Sequence, residues 1–331
     1  MPAGTRERPS ESTRCRSRSP SKSPRSQLSA PAETKPAPAR RPRLLLIGSV
    51  VYLALIFGVM LWQGVSIEPE WVALVLLVIA VALGRGRTFI ADWTPFLLLF
   101  FAYEAMRGFA AKTNFAPHDL SGMERWVFAG TIPTLTLQHD FYHPGVVGLQ
   151  DVVALFFYFM HFVLPIVVGF VFWVTSREYY WRFVAALLLM CFMAFVTYLF
   201  WPSAPPWYQL HDVVKINDQT VHALWGYTLV SPLYHSFNSN PFAAFPSLHA
   251  AFPMLAAVYA WQRYKLLALG LVLWSAAVFI SIVYLGEHYV VDALVSILYV
   301  AATTIVVEVV SRLRAQRAET AAKIRPATPS A

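Results

Sequence analysis

Long apolar stretches alternate with short polar segments along most of this chain. A helix needs about 20 predominantly apolar residues to cross the hydrocarbon core of a bilayer. By that measure the pattern predicts about eight spans, and the expected fold class is an all-α, polytopic membrane helical bundle. The predicted spans are residues 44–62, 70–84, 89–107, 151–175, 181–201, 249–263, 266–285 and 288–311.

Positively charged residues cluster in alternate connections between these spans and after the last one. The residues concerned are Arg85, Arg87, Arg177, Arg182, Arg263, Lys265, Arg312, Arg314 and Arg317. Because Lys and Arg are enriched in cytoplasmic loops, an even number of spans predicts that the N- and C-termini are both cytoplasmic. The two long loops, about 108–150 and 202–248, then lie on the extracytoplasmic side of what we expect to be a multi-pass plasma-membrane protein.

The composition agrees with a protein that has the bilayer as its solvent, since 57% of the 331 residues are hydrophobic and 13% are charged. Residues 1–43 differ from the rest, because eleven Lys and Arg against three acidic residues account for the whole net charge of +8. This Ser-, Pro- and Arg-rich segment is predicted to be a disordered cytoplasmic tail that orients the chain and attracts anionic lipid. We favour that role over nucleic-acid binding and expect no nucleic-acid partner.

His288 and Asp292 lie four residues apart at the start of the last predicted span. On a helix this spacing places both side chains on one face, where the carboxylate can accept the Nδ1–H of the imidazole. The other ring nitrogen is then oriented as a nucleophile or base, as in a catalytic triad or in a histidine that accepts a phosphoryl group. The alternative is a purely structural pair, which helix faces form routinely.

The segment Pro246-Ser247-Leu248-His249 has the pattern of a helix start, with Ser247 as the N-cap. Free N–H groups at such a start bind anions, so a phosphate held there could contact the Ser247 hydroxyl while His249 protonates a departing oxygen. An ordinary capped helix with an interfacial histidine is the alternative. Because both histidines begin spans that run in the same direction, they are expected at one depth, in a joint site near the outer surface.

Residues Phe245–Ala250 and Gly286–Asp292 resemble the second and third signature motifs of the type 2 phosphatidic acid phosphatase superfamily. The nearest branch is the inositol-phosphotransferase group that includes inositol phosphorylceramide synthases, and the resemblance covers roughly residues 90–310. It implies a six-helix catalytic membrane domain at 89–311, preceded by two helices in 44–88 and followed by a cytoplasmic tail at 312–331.

The same resemblance implies roles for three side chains. His288 corresponds to the nucleophile that attacks phosphorus, Asp292 to the carboxylate that orients it, and His249 to the general acid and base. It also implies no cofactor and no metal. The expected partners are a membrane lipid substrate and a lipid or alcohol acceptor.

The sequence departs from the phosphatases of that superfamily in its cations. No Lys-x6-Arg-Pro precedes the second motif, and Ile282 stands six residues before His288, where those phosphatases carry Arg. Replacement cations on the outer side are Arg107, Lys112, Arg125 and Lys215. We expect Arg107 and Arg125, together with Ser247, to bind the substrate phosphate, because a guanidinium matches a phosphate bidentately. For Arg107 the alternative is a structural ion pair with Glu104.

Four functions are compatible with these residues. The leading hypothesis is a phosphotransferase that acts on phospholipid head groups through a phosphohistidine, and the resemblance implies inositol phosphate as the transferred group. A lipid phosphate or diphosphate phosphatase using water is the first alternative. A metal site formed by His249, His288 and Asp292 and a non-catalytic transporter or scaffold are the others. The remaining histidines, including His161, are interpreted as polar contacts, and the sequence leaves the acceptor and the oligomeric state open.

Overall fold

The computed structural model describes residues 69–110, 115–225 and 240–324, together with the single residues Val51 and Gly58. The predicted N-terminal tail, nearly all of the first predicted span and Lys112 lie outside the described residues. The domain boundaries drawn from the sequence therefore stay a prediction.

The described residues form eleven helices and no strand. They are α1 (Pro69–Ala82), α2 (Gly86–Ala110), α3 (Ser121–Val127), α4 (Pro133–Phe141), α5 (Leu149–Thr175), α6 (Arg177–Phe200), α7 (Pro206–Gln209), α8 (Ile216–Trp225), α9 (Leu248–Arg263), α10 (Lys265–Tyr284) and α11 (Val290–Ile324). The prediction of an all-helical membrane fold is confirmed.

Five helices of the described part are long and apolar enough to cross a bilayer, namely α2, α5, α6, α10 and α11. The predicted count of about eight spans is not confirmed. Helix α1 has 14 described residues and α9 has 16, whereas a span needs about 20. The first predicted span, 44–62, falls almost entirely on residues that are not described. The chain is a multi-pass helical membrane protein.

Helix α9 lies at the centre of the bundle and packs against α5, α6, α10 and α11. Small residues on several sides of it, including Ala250, Ala251, Ala256 and Ala260, are fully or almost fully buried. Small side chains let helix backbones approach closely inside a membrane bundle. The first turn of α9 is therefore enclosed by protein, which is where His249 lies.

A buried carboxylate fixes α2 to α5 and α6 at the opposite end of the bundle. The Trp173 indole N–H donates to Asp92 Oδ2 at 2.9 Å, and Arg177 Nε donates to the same oxygen at 2.7 Å. A buried charge is tolerated only when it is paired and hydrogen-bonded, as Asp92 is here. This contact sets the direction of α2, whose other end carries Arg107.

The two long loops come together over the end of the bundle where α9 and α11 begin. The backbone N–H of His118 donates to Pro202 O at 2.8 Å, and Ala204 N donates back to His118 O at 3.0 Å. Ser203 N then donates to Phe242 O at 2.9 Å, in the segment that leads into α9. The described parts of both loops are thus joined beside the first turns of α9 and α11.

Candidate active site

Two imidazoles and a carboxylate meet where α9 and α11 begin. The Nδ1 atom of His249 lies 3.0 Å from Nε2 of His288, and Nδ1 of His288 lies 3.4 Å from Asp292 Oδ2. His288 is 3% exposed and Asp292 is fully buried. The structure therefore brings together the three side chains to which the sequence assigned the chemistry.

The hydrogen bonds around Asp292 indicate which nitrogen of His288 carries the proton. Asp292 Oδ2 also accepts the backbone N–H of Tyr289 at 2.9 Å, which holds the carboxylate beside the imidazole. An ionised carboxylate only accepts hydrogen bonds, so the network assigns a proton to Nδ1 of His288 and a lone pair to Nε2. The proton between the two histidines then belongs to Nδ1 of His249.

The starts of α9 and α11 are hydrogen-bonded to each other through their backbones. Ser247 N donates to Asp292 O at 3.3 Å, and the Ser296 hydroxyl lies 2.7 Å from Ser247 O and 2.9 Å from Asp292 O. Ser247 and Ser296 are both fully buried. These hydrogen bonds keep the backbones that carry His249 and His288 together, independently of the contact between the two imidazoles.

Ser247 is the N-cap of α9, and its hydroxyl accepts the backbone N–H of Ala250 at 3.4 Å. The hydroxyl is therefore engaged in capping, and its predicted contact with a phosphate stays a prediction. The backbone N–H groups of Leu248 and His249 have no acceptor among the described residues. Such N–H groups at a helix start favour an anion.

His161 lies beside His249, a position that sequence reasoning missed. Its ring centroid is 3.9 Å from that of His249, and Tyr158 stacks on His249 at 4.7 Å. Nδ1 of His161 lies 2.6 Å from Tyr158 O, so this nitrogen donates and Nε2 keeps its lone pair. An ionisable residue inside an apolar span marks a functional site by default, and that rule could have selected His161.

Arg107 and Arg125 occupy different environments. Arg107, at the end of α2, is largely buried and pairs with Glu104 Oε2 at 3.1 Å. The structural ion pair that the sequence offered as the alternative role of Arg107 is therefore present. The charge of Arg107 also lies close enough to His249 to act on it electrostatically. The Arg125 side chain is exposed on α3, and its charge acts on Tyr289. No contact among the described residues joins Arg125 to His249 or His288.

Pro205, Pro206 and Trp207 lie at the start of the short helix α7, which packs against the turn that precedes His288. Trp207 N donates to Gly286 O at 3.1 Å, and the Lys215 ammonium lies 4.5 Å from the centre of the Trp207 ring. Next to the nucleophile candidate, Glu287 Oε1 accepts from Asn217 Nδ2 at 2.7 Å. Burial raises the pKa of the Glu287 carboxyl group.

The geometry does not suit the alternative of a metal bound by all three side chains. Asp292 faces Nδ1 of His288, whereas His249 faces Nε2 on the other side of the same ring. The three groups therefore do not converge on one point, as ligands of a single ion must. Within the described ranges, no group of three or more His, Cys, Asp and Glu side chains is arranged to hold a metal ion.

Comparison with known proteins gives a family match that includes this site. The family model described as the PAP2 superfamily matches residues 118–306. Phosphoinositol dihydroceramide synthase of Bacteroides thetaiotaomicron is 32% identical over an alignment of 163 residues, and the match covers 45% of this chain and 53% of that protein.

A second relative is the inositol phosphorylceramide synthase catalytic subunit aur1 of Schizosaccharomyces pombe. It is 28% identical over an alignment of 160 residues, and the match covers 40% of this chain and 34% of the relative. The chain thus spans about half the length of the first relative and about a third of the second. No solved structure matches the chain.

Proposed function

The chain belongs to the PAP2 superfamily, and from this premise we propose that it is a membrane phosphotransferase that moves a phospholipid head group, with its phosphate, to a lipid or alcohol acceptor. The names of both relatives make inositol phosphate the proposed group and a ceramide-like alcohol the proposed acceptor. The observation that carries the proposal is the 3.0 Å contact between Nδ1 of His249 and Nε2 of His288, with Asp292 behind the second ring.

In the first half-reaction, the donor phosphate enters between the two rings and replaces their hydrogen bond. Nε2 of His288 attacks phosphorus, and the bond from phosphorus to the diacylglycerol oxygen breaks. His249 donates its Nδ1 proton to that oxygen, so neutral diacylglycerol leaves. The head-group phosphate remains on His288 as a phosphoramidate, and Asp292 stabilises the positive charge that develops on the ring.

The second half-reaction reverses these roles with a different alcohol. His249, now without its Nδ1 proton, takes the proton of the acceptor hydroxyl, and the acceptor oxygen attacks phosphorus. The bond between phosphorus and Nε2 breaks, which restores both histidines to their starting protonation states. A reactive phosphoramidate suits this sequence, because the group must be discharged soon after it is formed.

Charge on the phosphate oxygens needs donors that are fixed before the reaction. We assign this role to Arg107 and to the N–H groups at the start of α9, with Ser247 and Arg125 as further candidates from the sequence. Arg107 is supported by its burial and by its electrostatic effect on His249. Arg125 has weaker support, since its side chain is exposed.

The proposed orientation places the site on the extracytoplasmic side of the plasma membrane. It rests on the distribution of Arg and Lys, which assigns both termini to the cytoplasm. His249 and His288 then lie near the outer leaflet, from which a lipid donor and a lipid acceptor could both enter. Labelling of a cysteine introduced at exposed position His139 in intact cells tests this orientation.

The function is tested with the purified protein in lipid nanodiscs that contain phosphatidylinositol labelled at its phosphate. With ceramide present, we expect labelled inositol phosphorylceramide and an equal amount of diacylglycerol. His288→Ala should abolish both products and any label bound to the protein. The control is His139→Asn. The His139 side chain is 88% exposed, so this substitution should leave turnover unchanged.

Two results would overturn this proposal. Full turnover by His288→Ala would exclude the phosphohistidine route. Release of free phosphate from lipid phosphates, with no phosphodiester formed when an acceptor is supplied, would identify a hydrolase instead. If a phosphodiester forms with an acceptor other than ceramide, the proposal of a phosphotransferase stands and the proposed acceptor is replaced.

A further inference from the structure

Glu124 in the short helix α3 contacts the start of the helix that follows His288. Its Oε1 atom accepts the backbone N–H of Val290 at 3.0 Å, and Oε2 accepts that of Val291 at 3.1 Å. The Glu124 side chain is fully buried. Both carboxylate oxygens are therefore used to bind the backbone of α11.

Together with Asp292, Glu124 accounts for the N–H groups at the start of α11. The first N–H groups of a helix have no partner within the helix and require one from elsewhere. Asp292 Oδ2 takes the N–H of Tyr289, and Glu124 takes the next two. A negative charge at this position also interacts favourably with the helix dipole.

Helix α3 is itself held in place, so Glu124 is not a flexible tether. Asp119 accepts from Ser121 N at 2.8 Å and from the Ser121 hydroxyl at 2.9 Å, which fixes the first turn of α3. Apolar side chains from this region pack with Tyr289 and Val291 in a separate buried cluster. Glu124 thus connects the extramembrane segment to the backbone beside the nucleophile candidate.

We propose that Glu124 is a positioning residue that fixes the backbone of Tyr289–Val291 and thereby holds His288 and Asp292 in line for phosphoryl transfer. This role rests on the proposed function, because it acts through His288. The carboxyl group supplies two built-in hydrogen-bond acceptors at the start of α11. Removal of these acceptors should let the first turn of α11 move, and a displacement of about 1 Å can lower a rate about 100-fold.

Three variants separate this role from general stability. Glu124→Ala removes both acceptors, and Glu124→Gln keeps one acceptor without charge. Asp151→Asn is the matched control, because buried Asp151 also uses both oxygens away from His288: one caps α5 by accepting Gly148 N at 2.7 Å, and the other accepts the Tyr284 hydroxyl at 2.5 Å. All three are measured in nanodiscs by hydrogen–deuterium exchange and by steady-state kinetics.

In Glu124→Ala we expect faster exchange of the amides of Tyr289–Val291 and a kcat about 100-fold lower, with KM for the donor lipid within about threefold of wild type. Glu124→Gln should lie between Ala and wild type. Added formate should restore part of kcat in Glu124→Ala by supplying two acceptors at the vacated position, and formamide, with one acceptor, should restore less. Asp151→Asn should lower thermal stability and leave kcat within about threefold.

The exchange measurement does not depend on activity, so the inference and the proposed function fail in different ways. Unchanged exchange at Tyr289–Val291 in Glu124→Ala would overturn the inference even if the wild-type protein transfers head groups. An unchanged kcat, or a fall in kcat equal to that of Asp151→Asn, would also overturn it. An inactive wild-type protein would instead contradict the proposed function.

Discussion

His249 Nδ1 and His288 Nε2 are within direct hydrogen-bond distance at 3.0 Å, which leaves no room for phosphorus between them. In the proposed mechanism the substrate phosphate therefore has to separate the rings, and the proton that His249 directs at His288 would become the proton for the leaving oxygen. The tautomer assigned from the hydrogen bonds puts the Nδ1 proton of His249 on the side where the proposed leaving group would sit.

Replacement of His249 by Ala should lower kcat by a factor that depends on the leaving group. With phosphatidylinositol as donor, the leaving alkoxide needs a proton, and loss of the acid should lower kcat by about 10²- to 10⁴-fold. With a nitrophenyl ester of inositol phosphate, the leaving group is stable without a proton and the loss should be about tenfold or less. Both are measured as single-turnover rates, and an equal loss with the two donors would contradict the role of acid.

Asp292→Asn should lower kcat far more than it changes KM. The amide keeps the shape of the side chain but cannot stabilise the imidazolium that forms on His288, and it favours the wrong tautomer. The corresponding change in a serine protease triad costs about 10⁴-fold, so a loss of 10³- to 10⁴-fold is expected here. The control is Asp140→Asn, because Asp140 is 52% exposed and lies outside the site. A kcat within about threefold of wild type would show that Asp292 is structural.

Local spacing explains what the sequence could predict about the site. The four-residue spacing predicted that His288 and Asp292 meet, although His288 lies two residues before α11 and only Asp292 lies on that helix, in its first turn. Ser247 caps α9 because its residue type suits that position. The resemblance to the PAP2 superfamily, confirmed by the match to residues 118–306, rests on the same two motifs. The approach of His249 to His288 followed from the common direction of their two helices.

The remaining contacts depend on packing that a linear pattern does not contain. His161 lies on α5, and its position beside His249 is set by how α5 and α9 are rotated against each other. Glu124 belongs to a seven-residue helix in a loop, where no apolar periodicity predicts a contact with α11. Helix α9 is both apolar and surrounded by other helices, and a linear apolar pattern is the same for a span and for a helix of the interior.

His161 should act mainly by packing against His249, and two substitutions test this. His161→Phe keeps an aromatic ring beside His249 and should retain kcat within about threefold. His161→Ala removes the contact, allows the His249 ring to turn, and should lower kcat about tenfold or more. An equally large loss in both variants would mean that the His161 nitrogens take part in the reaction.

Gly286→Ala should destabilise the protein and slow the reaction. Gly286 has φ +80°, and an added Cβ would lie 2.9 Å from Val213 Cγ1 and 3.0 Å from Val214 O. The strained backbone alone costs about 1–3 kcal/mol, and the close contact with backbone adds to it. Because Gly286 lies two residues before His288, a shift here should also lower kcat.

Gly145→Ala is the control for this substitution. Gly145 has φ +78°, but nothing lies within 4 Å of the position of its added Cβ. The backbone strain should therefore destabilise Gly145→Ala, but no close contact is added. Its kcat should remain that of wild type. The unfolding temperature and kcat are measured for both variants. Equal values for the two would show that the close contact at Gly286 does not affect stability or catalysis.

The pH dependence of stability should change when Glu287 is replaced by Gln. Burial raises the pKa of the Glu287 carboxyl group above its usual 4.5, against the opposing effects of Lys215, His288 and the Asn217 hydrogen bond, while Asp218 raises it further. The folded protein thus holds this proton more tightly than the unfolded chain does. The resulting stabilisation is complete below the unfolded pKa and is lost as the pH rises through the folded pKa.

We therefore expect the wild-type protein to lose thermal stability relative to Glu287→Gln as the pH is raised from about 4 to about 8. The neutral amide does not titrate, and its oxygen can still accept from Asn217. Glu178→Gln removes the same charge from an exposed position on α6 and should run parallel to wild type over this range. If the difference in unfolding temperature between wild type and Glu287→Gln is the same at both ends of the range, burial does not hold a proton on Glu287.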